Sequence, residues 1–446
     1  NHLVLNAYLM LNGLFVTVSL ISILLAASSG RMEQLTTGVM ASASDAVELA
    51  IGLVGTMAFF LGLIRIAQDA GLMTKVARGL NKPIRLLFPS LPPNSPAIGA
   101  IVLNLSANMF GLANAATPFG IKAMQELDKH NAHSGTATNA MVMFLAINTS
   151  ALAILPTGMV ALRVSMGSQD PAGIFLTTWF ASASATVMAV LAASLFAQLP
   201  TYRATEPASI DPGSTENDLN SESENVPVKT GETDIKPTTF RLWLSRLFWI
   251  ALFALAVRSI ATQIAYEPVF DLVRSIMSFW SIPIIIAALV TYGWVRQVAV
   301  YESLVEGAKE GFQVALRIIP FLVAILVLIG MFRSSGALDV LVGFLAPLTE
   351  LVGMPPEVLP LAVLRPFSGS GSFALAAETM RVHGADSLIG YMSGTFTGST
   401  ETTFYTLAVY YGAIGIRNTR HTVPACLAAD VTGILAATFI VNLLFG

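Results

Sequence analysis

The stretch Ser393-Gly-Thr-Phe-Thr-Gly-Ser-Thr-Glu-Thr-Thr-Phe-Tyr405 decides the fold. It lies between segments apolar enough for a bilayer, yet it consists largely of glycines and hydroxyls around one carboxylate, Glu401. Non-helical polar backbone survives at membrane depth only where protein or a water-filled cavity surrounds it. The stretch is therefore expected to leave the helix at an enclosed polar site. A second run of this kind, Arg365-Pro-Phe-Ser-Gly-Ser-Gly-Ser372, stands upstream. Two broken polar segments in one half of a membrane chain point to a transport site.

The bilayer setting follows from composition. Hydrophobic residues make up 54% of the 446 residues and charged residues 11%, and the mean hydropathy is +0.69. Soluble domains carry about 25% charged residues, so the chain is an all-α polytopic membrane protein. The net charge of −3 and the scattered 24 Lys and Arg exclude a nucleic-acid surface. One cysteine, Cys426, allows neither an internal disulfide nor a cysteine metal cluster, and it reads as a small core residue.

Apolar segments of about 20 residues mark spans. Leu3–Ala27 lacks a basic n-region and exceeds the length of a signal h-region, so it reads as a retained transmembrane helix. Ala46–Ala67, the Gly- and Asn-rich 97–124, Ala137–Val164 and Ile174–Ala197 follow. Leu72–Phe88 spaces Lys75, Arg78, Lys82 and Arg85 through apolar residues, as a helix lying on the membrane face does. Residues 201–239 are acidic and poor in large apolar side chains, which predicts a disordered linker. Beyond it come spans at 242–261 and 282–295, an amphipathic segment at 301–313 and a span at 314–332. A surface segment at 338–351, a broken region at 359–380, a long segment at 388–416 and a last span at 423–445 complete the chain. The domains are thus 1–198, a linker at 199–239, and 240–446.

The two halves repeat one plan. Gly62-Leu-Ile-Arg65 corresponds to Gly330-Met-Phe-Arg333, each followed by a surface helix and a polar break. The long span with Asn148-Thr149-Ser150 corresponds to that with Ser399-Thr-Glu-Thr402, and Arg163 and Arg417 end them. The first surface helix is basic, hence cytoplasmic, whereas 336–357 holds no Lys or Arg. Opposite charge bias at matching positions is the mark of inverted-topology repeats, whose shared site lies where half-helix ends converge near the midplane.

That site is expected to draw on Asn104, Asn108, Asn114, Thr117, Asn148, Thr149 and Ser150 from the first half. The second half supplies Arg365, Ser368, Ser370, Ser399, Thr400, Glu401 and Thr402. Ser106 and Thr397 stand in the same clusters. Ser, Thr and Asn hydrogen-bond in both senses, which suits half-helix termini. The alternative role for such residues is close helix packing, and for Glu401 a structural ion pair with Arg365. An ionisable residue at membrane depth is otherwise functional, taking up a proton, a cation or the polar face of a solute. His130, His133, His383 and His421 are expected at the surface, without metal-ligand spacing. Gly369-Ser370-Gly371 lacks the Gly-x-Ser-x-Gly frame and a placed His and Asp, and no Gly-x-x-x-x-Gly-Lys loop occurs, so no enzyme and no cofactor is expected.

The motifs also carry a resemblance. Residues 31–198, with Asn-Leu-Ser-Ala-Asn-Met-Phe-Gly-Leu-Ala-Asn-Ala-Ala-Thr-Pro-Phe-Gly at 104–120 and Ala-Ile-Asn-Thr-Ser at 146–150, resemble the spore maturation A family. Residues 280–446 resemble the B family, through Glu-Gly-Ala-Lys-Glu-Gly-Phe at 306–312, Arg-Pro-Phe-Ser-Gly-Ser-Gly at 365–371 and Gly-Ser-Thr-Glu-Thr-Thr-Phe-Tyr at 398–405. The resemblance implies a fused pair of nucleoside recognition, or gate, domains, a type shared with concentrative nucleoside transporters and with ferrous iron transport protein B. The expected function is secondary transport of a small polar solute, nucleoside-like or another small metabolite, coupled to H+ or Na+, across the bacterial inner membrane. The competing function is a non-transporting scaffold for envelope or spore maturation. Expected partners are the lipid bilayer, the solute and the coupling ion, with self-association into a homo-oligomer left open.

Overall fold

The computed structural model describes residues 2–92, 95–110, 113–150, 152–207, 238–263 and 269–446. The chain enters through α1 (His2–Ser28) and α2 (Met32–Asp69). Gly71, at φ +73°, turns the chain into α3 (Leu72–Leu87). A hairpin of α4 (Pro96–Met109) and α5 (Ala113–Asp128) follows. Then come the short α6 (Asn139–Thr149) and α7 (Thr157–Ser165), the long α8 (Ile174–Ala197), and one turn, α9 (Pro200–Arg203).

Two outer helices, α10 (Thr239–Gln263) and α11 (Val269–Val295), precede the second half. There α12 (Val300–Ser334) turns at Gly336, φ +81°, into α13 (Ala337–Glu350). After it come α14 (Leu359–Leu364) and α15 (Gly369–His383), then α16 (Leu388–Ser399) and α17 (Thr403–Ala413), and finally α18 (Thr422–Phe445). The order from α2 to α8 is thus repeated from α12 to α18. Five of the described helices are long and apolar enough to cross a membrane: α2, α8, α10, α12 and α18.

Small residues bring the matching long helices together. An added Cβ at Gly62 would stand 2.7 Å from the Leu304 carbonyl oxygen, and one at Gly311 would stand 2.5 Å from Ala58 Cα. At the other end Gly38 and Gly330 face Ser334 and Ser42. Residue 38 thus meets 330–334 while 62 meets 304–307, so α2 and α12 are antiparallel and in backbone contact, as small residues permit. The α8–α18 pair is antiparallel too: Gly433 packs on Ala185, and Phe439 meets Phe180 with ring centroids 6.3 Å apart. Each long helix therefore runs opposite to its counterpart.

The structure extends three spans well beyond their sequence bounds, among them α11, which begins at Val269 rather than at Ile282. α2 begins at Met32 rather than Ala46: Thr36 and Thr37 bond back to carbonyls of their own helix, and Gly38 and Ser42 pack on α12. The amphipathic segment 301–313 and the span 314–332 are one helix, with Pro320 inside it. At 1.5 Å per residue its 35 residues reach about 52 Å, so part stands outside a hydrocarbon core of about 30 Å. There Glu310 pairs with Arg65 of α2 at 2.9 Å. α10 buries no residue and turns Phe240, Trp243, Ile250 and Phe253 outward. α3 buries Ala77 and Ile84 and leaves its basic face exposed, as an interfacial helix does.

Two buried arginines join the halves. Arg163, at the end of α7, donates to the Ala385 carbonyl at 2.6 Å and to Asp386 at 2.8 Å, just before α16. Arg420, after α17, donates to the Ala137 carbonyl at 3.1 Å and to Asn139 Oδ1 at 2.8 Å, where α6 begins. Each half thus clamps the start of the other half's broken span. The counterpart of Arg163 is Arg420 and not Arg417, whose side chain is exposed; Gly415, at φ +72°, turns the chain before it. His421 is fully buried, against the surface expectation, because Tyr202 covers it with ring centroids 5.2 Å apart. Tyr202 belongs to a docked segment in which Glu206 accepts from Asn139 Nδ2 at 2.5 Å. The first residues assigned to the linker therefore pack on the protein, and 208–237 lie outside the described residues.

Candidate functional site

The site forms where two broken spans cross. α6 ends at Thr149 and α7 starts after Pro156, which has no N–H to continue a helix. In the other half the break is narrower than the polar stretch suggested. Ser393–Ser399 remain helical, and only Thr400–Thr402 are extended, with Thr400 at φ −134°, ψ 162°. The last carbonyls of a helix and the amides of an extended segment lack partners of their own. Here they satisfy each other: Glu401 N–H donates to the Thr149 carbonyl at 2.8 Å.

Arg365 fastens the crossing from a third element. It caps the end of α14, is 5% exposed, and gives Nε–H to Thr400 Oγ1 at 3.3 Å and Nη2–H to the Thr400 carbonyl. Next to it Phe404 N–H donates to the Pro366 carbonyl at 3.0 Å. Arg365 makes no ion pair with Glu401, so the structural pairing considered for Glu401 is absent. The Glu401 side chain is exposed and makes no hydrogen bond or ion pair among the described residues.

A cavity of about 390 Å³ opens at this crossing. Asn108, Thr157, Ser370, Thr397 and Thr400, with Arg365 and Glu401, supply its polar side chains, and Met57 and Phe373 are among its apolar walls. Met57 and Leu322 place it against α2 and α12.

The remaining sequence candidates divide. Asn104, Asn148 and Asn108 form a relay: Asn148 Nδ2 donates to Asn104 Oδ1 and Asn108 Nδ2 to Asn148 Oδ1, both at 2.7 Å. Asn104 Nδ2 also donates to the Tyr410 hydroxyl at 3.1 Å, tying α4 to α17. Thr149 and Ser150 bond back to Ala146 and Ile147 in their own helix, and Ser399 bonds to Phe396. Ser368 caps α15 by accepting from Gly371 N–H at 3.0 Å, and Thr402 is buried beside Gly369. These five pack and cap rather than line the cavity. Thr117 sits part-buried on α5, away from the cavity wall. The Asn114 side chain lies outside the described residues.

Asp430 was not among the sequence candidates. It is 1% exposed on α18, accepts from Thr403 Oγ1 at 2.6 Å, and keeps Oδ1 without a partner. The signal was present, a single carboxylate inside a 24-residue apolar helix, and such residues are functional by default. Through Thr403 it sits next to the break at Thr400–Thr402, and its charge attracts Arg365, although it does not line the cavity.

Comparison with known proteins agrees with this architecture. A family model described as "Gate: Nucleoside recognition" matches residues 50–166 and 315–417, one stretch in each half. Spore maturation protein B of Bacillus subtilis (strain 168) is 46% identical over 170 residues, 38% of this chain and 96% of that protein. The chain belongs to the spore maturation protein family. Spore maturation protein A of the same organism is 39% identical over 165 residues, 37% of this chain and 84% of that protein. Both broken spans of the crossing fall within the Gate matches.

Proposed function

We propose that this spore maturation family chain is a secondary transporter of a small polar solute in the bacterial inner membrane, built from two inverted gate repeats and driven by H+ or Na+. The observation that carries the reading is the cavity at the crossed breaks, with a buried arginine and an exposed carboxylate in its wall. A volume of about 390 Å³ falls in the range of small-molecule pockets, roughly 300–1,000 Å³. Antiparallel counterpart helices support the inverted repeat, in which alternating access is rocking of one unit against the other around a fixed site. A scaffold has no use for a solvent-reachable cavity with charged groups in its wall and would be packed solid there. The reading involves no covalent chemistry.

The test is uptake by the full chain in proteoliposomes, from a mixture of nucleosides and other small polar metabolites, with and without inward H+ or Na+ gradients. The control is Gly158→Trp. Gly158 lines the cavity, and an added Cβ would meet nothing closer than Phe373 at 3.9 Å, so the indole fills space without displacing backbone. Depletion of a solute by the native chain and not by this variant is the expected result. No protein-dependent flux of any solute under either gradient would return the chain to the scaffold reading.

A further inference from the structure

Two opposite charges line one cavity without forming a contact ion pair: Arg365 feels the attraction of Glu401 and of the buried Asp430, yet neither carboxylate touches its guanidinium, and this constrains what the cavity takes. Arg365 is 5% exposed, and its Nε and Nη2 are committed to Thr400. Its Nη1 has no partner among the described residues. A Cβ added to Gly369 would stand 3.9 Å from Nη1, which places this nitrogen beside the start of α15. The first amides of α15 lie at the same wall: Gly371 and Ser372 donate to Ser368, while Gly369 and Ser370 line the cavity. α7 begins there as well. Met159 and Val160 donate to the Pro156 carbonyl, and Thr157 and Gly158 line the cavity. Two helix starts and a guanidinium nitrogen thus converge on one region, an arrangement that attracts a carboxylate.

Glu401 lines the same cavity with its carboxylate unbonded, and no N···O approach within ion-pair distance links it to Arg365. A neutral solute would leave the Arg365 Nη1 and the Glu401 carboxylate without a direct partner. A simple anion would meet Glu401, and a simple cation would meet Arg365.

We propose that the solute is a zwitterion of amino-acid type, its carboxylate held by Arg365 Nη1 and the starts of α7 and α15, its ammonium by Glu401. Met57, Leu155, Ile318, Leu322 and Phe373 in the walls favour an apolar side chain on it. This inference rests on the transport reading for the site's purpose, but its binding geometry is tested separately.

The experiment measures the melting temperature of the purified full chain in lipid nanodiscs with L-leucine, L-methionine or L-phenylalanine. The N-acetyl derivative of each, which lacks the ammonium, and the amide of each, which lacks the carboxylate, serve as comparisons, in Na+ and in choline buffers. At least one free amino acid raises the midpoint, since a ligand of the native state stabilises it by mass action, and its two derivatives do not. Glu401→Gln, whose side chain contacts no described group, weakens the apparent affinity for the free amino acid by about tenfold or more, the size of a lost charge-assisted contact. Arg365→Gln removes the response. Because that variant also loses bonds to Thr400, the Glu401→Gln result decides alone if it does not fold.

Three results overturn the proposal: no amino acid shifts the midpoint, the N-acetyl compound or the amide shifts it equally, or Glu401→Gln responds as the native chain does. An N-acetyl response that needs Na+ would mean an anion bound with a separate cation. The same probes in the proteoliposome assay separate the two readings. Uptake of an uncharged solute without amino-acid binding sinks the zwitterion and leaves transport. Amino-acid binding without flux above the Gly158→Trp background sinks transport and leaves the site.

Discussion

The amide of Glu401 donates to the carbonyl of Thr149 at 2.8 Å, so the break in one half is closed by the break in the other. Neither unit alone satisfies its own interrupted span. An unsatisfied backbone group in hydrocarbon costs several kcal/mol, so the two crossings form together. The Glu401 side chain takes no part in this contact, and it makes no hydrogen bond or ion pair among the described residues.

Glu401→Gln should therefore fold as the native chain does, within about 0.5 kcal/mol, the usual range for a side chain with no buried partner. Arg365→Met strands the Thr400 carbonyl in a buried setting and should cost roughly 1–3 kcal/mol. The double variant should melt like Arg365→Met alone. Recovery of the native midpoint by the double variant would mean that the two side chains are paired after all.

The α2–α12 seam gives a second expectation. Gly311→Ala places a Cβ 2.5 Å from Ala58 Cα, and both partners are backbone-bound. The helices must separate, which costs about 1–3 kcal/mol. Gly55→Ala on the same helix pair meets nothing within 4 Å and should be neutral or stabilising by about 0.5–1 kcal/mol. Thermal unfolding of both variants, in one detergent, compares them. Equal midpoints would argue against a backbone-close seam.

Arg163 tests the clamp. It is fully buried, donates to Ala385, Asp386 and the Asp170 carbonyl, and stacks over Tyr391 at 4.2 Å. Arg163→Met removes one member of this buried set and should cost about 3–5 kcal/mol. Arg163→Lys should recover little, because a point charge cannot reproduce the planar fork. Limited proteolysis near Asp386 would report the loosened loop. A lysine variant with native stability would show that charge alone matters here.

Topology gives the fourth expectation. Lys82 on α3 and Glu350 on α13 are both exposed. Single cysteines at these sites, in a Cys426→Ser background, should react with an impermeant thiol reagent from opposite sides of the membrane, Lys82→Cys from the cytoplasm. Reaction of both from one side would rule out inverted repeats.

The last concerns the acidic segment. Glu206 bonds to Asn139 and Tyr202 covers His421, so a deletion that keeps residues 200–207 should be tolerated, whereas one reaching back to 200 should not. Removing 208–237 and replacing it with a Gly/Ser tether of similar reach should leave the melting midpoint nearly unchanged. A large drop would give this segment contacts of its own.

The sequence alone determined the membrane class, the twofold plan and the broken spans. These depend on local quantities: runs of apolar residues long enough to span, and glycines, prolines and hydroxyls that interrupt them. It brought Asn108, Arg365, Ser370, Thr400 and Glu401 to notice, and the fold gathered them at one cavity. Only the tertiary structure decided which hydroxyls bond back into their own helix, as that of Thr149 does, which cross to another, as that of Ser150 does to Thr186, and that Glu401 forms no ion pair with Arg365. It also made Arg420 rather than the span-ending Arg417 the arginine that reaches the other half, buried His421, and bonded Asp430 to Thr403. The reason is physical. Whether a polar group in a bilayer is functional or structural depends on what stands opposite it, and those groups lie anywhere from one helical turn away, as for Thr149, to the other half of the chain, as for Arg420 and Ala137.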